Sequence, residues 1–573
     1  MSHVRLHENT FRTPPPFLSP SPPGAAMFRQ SSARIGRRGL RRAITSVAAA
    51  AVAAVALSAC VATAPTTSST SGGNRPLNVA FTIAPSTIDP ASGCTLDDDR
   101  LTQVLYSQLV QYGTQKDANG TDEINPTEVK PYFAKSWDVS ADGLTYTFDL
   151  NTDWVFPSGK PVDAAAVKYS IERVISIAGC GSSIVNDLYT DPDLISSIDA
   201  PDAATVVFTL SKPDSAFLLA LATGAASIVD PSIVEANGGV VAGTPNEYLA
   251  SHDAGAGPFT LQSLEPGTKA VLVKNPTFKG EAPASDQINV SWVKTDSTLL
   301  LQAKDNTNDV TFGLAKNSAS TLGSGDGLKV VASTATANMQ MLLPNDKAPW
   351  NNEKVREAVT YAIPYTDILS NVLFNYGELY YGPIPPTMAG FSAADSAARS
   401  YDVDKAKSLI AESGISTPVA VSLDILSGDT AQASIATILQ SSLGQIGIDL
   451  TVNTLSESAW GDAVYNGTSQ AALRQDGPAV FNPGYYLQYD EQCDSAYNTG
   501  HICVPANTEL LDQARSALDS ATSDGIYAQI TKNWVAASPK VILYLDATAV
   551  VMSDKVTGYF WSPSTDMRTW ATS

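Results

Sequence analysis

Fifteen residues decide in which compartment this chain folds. Ala43 to Leu57 (AITSVAAAAVAAVAL) is an unbroken run of apolar and small side chains. A helix crossing a bilayer needs about 20 such residues, so the run is too short to span and has the length of a signal-peptide core. Arg34 to Arg42 (RIGRRGLRR) supplies the basic stretch that precedes such a core. The charge divides at the same place. The 573 residues carry 36 Lys plus Arg, 57 Asp plus Glu and a formal charge of -21, but residues 1–59 hold eight of the arginines and one acid, Glu8. Beyond them stand 28 bases and 56 acids, a charge of -28. The expectation is a detachable leader, residues 1–59, and an acidic exported body. The Pro-rich residues 1–26 do not suit a signal, which makes Met27 the candidate start.

Leu57-Ser58-Ala59-Cys60 stands where the apolar run stops and resembles the lipobox of bacterial lipoproteins. That resemblance implies acylation of Cys60 and a body anchored to the outer face of the bacterial cell membrane. Arg37-Arg38 bears a weaker likeness to a twin-arginine export signal. Val61 to Asn74 (VATAPTTSSTSGGN) has the composition of a flexible tether. With Cys60 acylated, four cysteines remain, an even number in an oxidising compartment. Proximity favours Cys493 with Cys503 and leaves Cys94 with Cys180, although sequence alone does not fix the connectivity.

Acidity of this size argues against a nucleic-acid partner, which needs a basic footprint. Catalytic constellations are equally scarce. Only His252 and His501 follow residue 59, and neither has a metal-ligand spacing. No G-x-S-x-G elbow or G-x-x-x-x-G-K-[ST] loop occurs. Gly323-Ser324-Gly325-Asp326-Gly327 lacks the following Lys and reads as a turn. Asp97-Asp98-Asp99 lacks the alternating ligand spacing of a calcium loop and reads as a solvated acidic helix start. We expect a binder without enzymatic activity, cofactor or metal.

Strand and helix patterns alternate along the body, which predicts α/β layers. Leu77 to Phe81 alternates like a strand, and Leu101 to Val110 has helical spacing. Leu144 to Leu150 reads as a strand that forms a hairpin with Trp154 to Phe156. Asp163 caps a helix through Arg173, Val206 to Leu210 is a strand, and Asn351 or Asn352 caps a helix that Pro364 ends. Asp404 caps a helix that stops at Gly414. A longer helix over Ile435–Ile446, a strand at Ile448–Val452, helices near Leu510–Leu518 and Ile526–Val535, and a buried strand at Val541–Leu545 follow.

From Ala134 to Val174 the text AKSWDVSADGLTYTFDLNTDWVFPSGKPVDAAAVKYSIERV resembles the solute-binding proteins of peptide and nickel ABC transporters. Trp137, Asp142, Gly143, Tyr146, Phe148 and Leu150 match its first part. Trp154, Phe156, Gly159, Pro161, Ala164, Val167, Tyr169, Ser170 and Arg173 match its second, with Ala166 in place of the family's acid. Ser86-Thr87-Ile88-Asp89-Pro90, Gly255 to Phe259, Val355 to Ile363, Pro383 to Pro386, Tyr401 to Lys407 and Ile446-Gly447-Ile448 follow in the family's order.

The resemblance implies a two-lobed, hinged α/β fold of the periplasmic-binding-protein type, with an extra subdomain on the first lobe. The expected division is 60–75 lipidated Cys and tether, 76–118 first lobe, 119–198 extra subdomain, 199–329 first lobe again, 330–540 second lobe, and 541–573 a return to the first. It also implies a monomer that captures a peptide or other small solute between its lobes and delivers it to ABC permease subunits. In peptide-binding relatives an acid holds the ligand's ammonium after a "G-W"; here the Trp is absent and Asp476 is the candidate, with Arg474 beside it. Trp460, Phe481, Tyr485 and Tyr486 are candidate faces for ligand. Dipeptide-binding relatives use an Arg that Leu426 to Ala433 lacks, which favours longer peptides. An oligosaccharide or metal chelate on the same fold, an exported hydrolase and an envelope chaperone-like protein are the rival readings.

Overall fold

In the computed structural model, residues 75–573 are described, apart from 94, 118, 188–192, 494 and 496. The expected leader, Cys60, the expected tether to residue 74, and Cys94 lie outside the described residues.

The first sheet is built around Leu77–Phe81, whose neighbours Gln287–Trp292 and Val310–Thr311 both run parallel to it. A strand flanked this way is covered on both faces and loses its alternation; Leu77, Val79, Ala80 and Phe81 are all fully buried. The order across its seven strands is Leu328–Ala332, Ala549–Ser553, Val310–Thr311, Leu77–Phe81, Gln287–Trp292, Lys269–Lys274 and Phe259–Glu265. The second sheet has six strands in the order Gly377–Glu378, Val541–Asp546, Ala337–Leu342, Ala472–Asp476, Val419–Leu426 and Ile448–Leu455. Each sheet has its own apolar core, one around Phe81, Leu105 and Trp570, the other around Val359, Leu423 and Leu439.

Among the described residues the chain passes between the sheets twice, at residues 333–336 and 547–548. The two passages lie side by side: Ser333 N–H donates to the Thr548 carbonyl at 2.9 Å, and Thr548 N–H to Ser333 Oγ at 2.9 Å. The flanking strands pair antiparallel on both sides, 328–332 with 549–553 and 337–342 with 541–546. A two-stranded ribbon therefore runs from one lobe into the other, the form a hinge takes when only a few residues absorb the motion. This places the return to the first sheet at Ala549, later than the expected residue 541, because Val541–Asp546 is an inner strand of the second sheet. It also places Leu328–Ala332, straddling the expected boundary at 330, wholly in the first.

A separate four-stranded antiparallel sheet, ordered Ala134–Val139, Thr145–Leu150, Thr205–Leu210 and Ile195–Asp202, packs under the helix Ala164–Ile177. Thr145–Leu150 pairs with 134–139 and 205–210, so the expected hairpin to Trp154 is not formed; Val155 makes only a bridge to Pro161. The boundary at 198 would cut through Ile195–Asp202 and remove an inner strand, so this sheet extends to Leu210.

Caps are where the sequence expectations and the structure meet most closely. The Asp163 side chain accepts from Ala166 N–H, Asn352 from Lys354 N–H, and Gly414 closes its helix at φ 71°. Asp402, not Asp404, caps Val403–Ser413. The helix expected at Leu101–Val110 lies at Leu96–Leu105, and Val110 already begins a strand. Cys493 and Cys503 are joined in a disulfide. Cys180 is also disulfide-bonded; its expected partner Cys94 is among the residues not described.

Candidate functional site

The motif residues first hold the scaffold. Arg173, on the helix Ala164–Ile177, donates to Asp89 at 2.8 Å, and both side chains are about 1% exposed. These two residues come from separate sequence motifs, so their spacing reflects one buried ion pair that fixes the subdomain to the first lobe.

On the second lobe the strand Ala472–Asp476 carries Arg474 and Asp476 toward the other lobe. Asp476 is not a spare charge. One carboxylate oxygen accepts from Arg474 at 2.8 Å, and the other from the Tyr486 hydroxyl at 2.9 Å and Gln340 Nε2 at 3.2 Å. Arg474 also donates to Asp490 at 3.1 Å and to Thr499 at 2.8 Å. Asp490 continues the network to Lys540, which pairs with Glu491 at 3.1 Å. Burial opposes the charge on Asp490, but Lys540 and Arg474 outweigh it and lower its pKa. Burial opposes the Arg474 charge too, and Asp476 and Asp490 more than restore it. Glu491 is pushed by burial up to about 7 against the pull of Lys540. Two cations, Arg474 and Lys540, thus face the three acids Asp476, Asp490 and Glu491 in one connected network, so the cluster largely balances its own charge.

The aromatic candidates separate. Trp460, on the helix Glu457–Tyr465, packs with Leu342, Val464 and Ala472 inside the second lobe. Tyr485 and Tyr486, on the helix Pro483–Glu491, line a cavity of about 250 Å³ together with Arg474, Asp476 and, from the first lobe, Ser183 and Ile184. The Tyr485 hydroxyl donates to the Ser183 carbonyl at 3.2 Å. Phe481 turns to a different and larger cavity, and meets Tyr112 of the first lobe edge to face with ring centroids 5.8 Å apart.

That larger cavity, about 380 Å³, is lined from the first lobe by Leu96, Asp99, Tyr112, Lys130 and Arg568 among others, and from the second by Pro478, Ala479 and Phe481. Arg568 is held by Asp566 at 2.5 Å and lies over the Tyr132 ring. Among the described residues the Asp99 carboxylate has no hydrogen-bond or ion-pair partner, and burial pushes it up to about 7. The expected solvated acidic helix start is thus corrected. Asp98 is 2% exposed and closes a capping box with Thr95, Asp97 pairs with Arg100 at 2.6 Å, and Asp99 faces the cavity.

The lobes also touch through Arg515, on the helix Pro505–Ser516. It reaches Asp214 at 2.6 Å and Asp187 at 2.9 Å, all three nearly inaccessible to solvent. Ser215 N–H donates to the Arg515 carbonyl at 2.9 Å, and Ala216, Ala220, Val480 and Tyr485 form a small apolar cluster beside it. Sequence reasoning missed Arg515 because its partners lie about 300 residues away. It missed Asp99 because an acid at a helix start usually has only a capping role.

The sequence profile of the bacterial extracellular solute-binding proteins, family 5 (middle region), matches residues 128–498, a stretch that contains the first hinge passage and the Arg474–Asp476 strand. The chain belongs to family 5. It is 30% identical over 484 residues to the probable D,D-dipeptide-binding periplasmic protein DdpA of Escherichia coli strain K12, covering 84% of this chain and 90% of that one. Among solved structures it resembles the periplasmic binding protein DppA of Helicobacter pylori in complex with the peptide STSA (TM-score 0.73, 23% identity, 87% of this chain and 98% of that one). It also resembles NikZ of Campylobacter jejuni in complex with Ni(L-His) (TM-score 0.71, 19% identity, 87% and 99%). Family 5 members are extracytoplasmic solute-binding proteins of ABC transport systems; the curated relatives are transport proteins, not enzymes. Asp99, Arg515, Lys540 and Arg568 lie outside the matched stretch.

Proposed function

We propose that this family 5 protein captures peptides in the larger interlobe cavity and delivers them to a membrane ABC permease, while Cys60 carries the lipid that holds it at the cell surface. The observation that carries the reading is the cavity itself. It is lined by both lobes, so hinge motion opens and closes it, and its aromatic walls Tyr112 and Phe481 come one from each side. Burying a solute between lobes couples binding to closure, which is what a permease can sense. The D,D-dipeptide-binding relative and the peptide complex of a structural neighbour support peptide as the solute class.

Length is the part of the proposal that the cavity sharpens. About 380 Å³ lies toward the small end of the roughly 300–1,000 Å³ that ligand sites span. The missing Arg in Leu426 to Ala433 favours peptides longer than two residues, and the cations that line this cavity are already paired within the protein, Arg568 with Asp566 and Lys130 with Glu128. We therefore propose short oligopeptides of a few residues. The testing experiment is mass spectrometry of solute released from protein purified without refolding. Peptides of a few residues are expected; a carbohydrate or a metal chelate with no peptide would overturn the reading. For the anchor, Cys60→Ser is expected to release the protein from the membrane fraction, and normal retention would refute it.

A further inference from the structure

The helix Leu96–Leu105 shows two faces. Leu101, Val104 and Leu105 are buried in the first lobe's core. Leu96, Asp99 and Gln103, at i, i+3 and i+7, lie on the opposite stripe and line the larger cavity. Leu96 is 41% exposed there, an apolar side chain left uncovered beside a carboxylate that no described residue neutralises. Each other acid at this cavity is accounted for: Asp566 by Arg568, and Glu281 by its exposure to solvent at the rim. Asp99 sits deeper, packed against Gly224, where a Cβ would stand 2.5 Å from its Oδ1.

We infer that Asp99 holds the cationic group of the solute, the α-ammonium of a peptide, with Leu96 and the Tyr112–Phe481 pair covering the adjoining apolar part. The inference rests on the peptide reading above and replaces Asp476 as the counter-charge. Asp99 is half-buried at the cavity wall, where a carboxylate gains from a cationic partner, and it finds none among the described residues, whereas Asp476 finds three. The burial that raises the Asp99 pKa is a cost that an ammonium would remove on binding. Gly224 lies directly against the carboxylate, and both line the cavity, from which the ligand group would approach.

The test uses the full exported protein and a random tripeptide mixture in two forms, free amine and N-acetylated, with captured species read by mass spectrometry. The wild type is expected to prefer the free-amine set by about 30-fold or more, the loss typical of truncating one member of a desolvated charge pair. Asp99→Asn is expected to abolish that preference while melting no lower than the wild type at pH 8, because the neutral amide has no charge to desolvate. Asp97→Asn, whose acid is already paired with Arg100, is expected to keep the preference. A folded Asp99→Asn that still prefers the free amine overturns the assignment. So does a wild type that captures both forms equally, and in that case the peptide reading stands. A wild type that captures neither form overturns the peptide reading and this inference with it.

Discussion

Asp476 and Asp99 are both carboxylates between the lobes, and their surroundings are opposite. Asp476 accepts three hydrogen bonds from Arg474, Tyr486 and Gln340, and its charge is balanced within a network that runs to Lys540. Asp99 accepts none among the described residues and faces a larger cavity. A carboxylate that the protein has already satisfied stabilises the scaffold; one left unsatisfied at a cavity wall favours an incoming cation. Location between lobes therefore does not identify a binding acid. The account of its partners does.

The sharpest way to break this contrast is to remove the network's cation. Arg474→Met leaves Asp476 and Asp490 buried with less compensation, and we expect a stability loss of about 3–5 kcal/mol in urea denaturation. A loss under about 1 kcal/mol would mean that Asp476 is not structural. Asp99→Asn should not destabilise at all. The sign for Asp99 follows from its pKa, raised in the folded state to about 7. Below about pH 4 the carboxyl is neutral in both folded and unfolded chains, and its burial has no charge to desolvate. As the pH rises from about 4 to about 7 the unfolded chain ionises this carboxyl while the folded one still holds its proton, so stability is lost over that window and levels off above it. Denaturation from pH 4 to 8 should therefore show Asp99→Asn gaining on the wild type as the pH rises. The charged groups that also line this cavity are Lys130, Glu281, Asp566 and Arg568, with Asp98 adjacent in sequence. Equal curves for the two proteins would show that Asp99 is solvated.

Arg515 sharpens the comparison from the side of lobe contact. Arg515→Gln removes the charge that joins Asp187 and Asp214. We expect a larger radius of gyration in small-angle scattering and about tenfold weaker solute binding, roughly 1.4 kcal/mol. Phe481→Leu keeps apolar volume but loses the edge-to-face contact with Tyr112, worth about 0.5–1.5 kcal/mol, and should weaken binding by about two- to tenfold in calorimetry. Trp460→Phe is the smallest expected effect. Its ring packs inside the second lobe, so affinity should not change and stability should shift by less than about 1.5 kcal/mol.

Much of this was legible in the sequence where the determinants are local. Asp163, Asn352 and Gly414 mark helix ends because a cap is decided within three or four residues. The two-lobed α/β fold followed from alternating patterns and from ordered motifs. What failed depends on partners distant in the chain. Thr145–Leu150 looks like half of a local hairpin until Thr205–Leu210 takes one of its edges. Val541–Asp546 reads as a strand, but only its pairing with Ala337–Leu342 shows to which lobe it belongs. Asp476 stood near the expected position, and nothing local revealed that Arg474 beside it would bridge to Asp490. The run Asp97-Asp98-Asp99 looks uniform in sequence, yet three consecutive helical positions point in different directions and receive three different environments.

The most direct measurement is a crystal structure of the exported protein with a captured short peptide. We expect the peptide in the larger cavity, its ammonium nitrogen within hydrogen-bond distance of Asp99 and the Arg474–Asp476 pair intact. A peptide seated against Asp476, with Arg474 displaced and Asp99 facing only water, would contradict it.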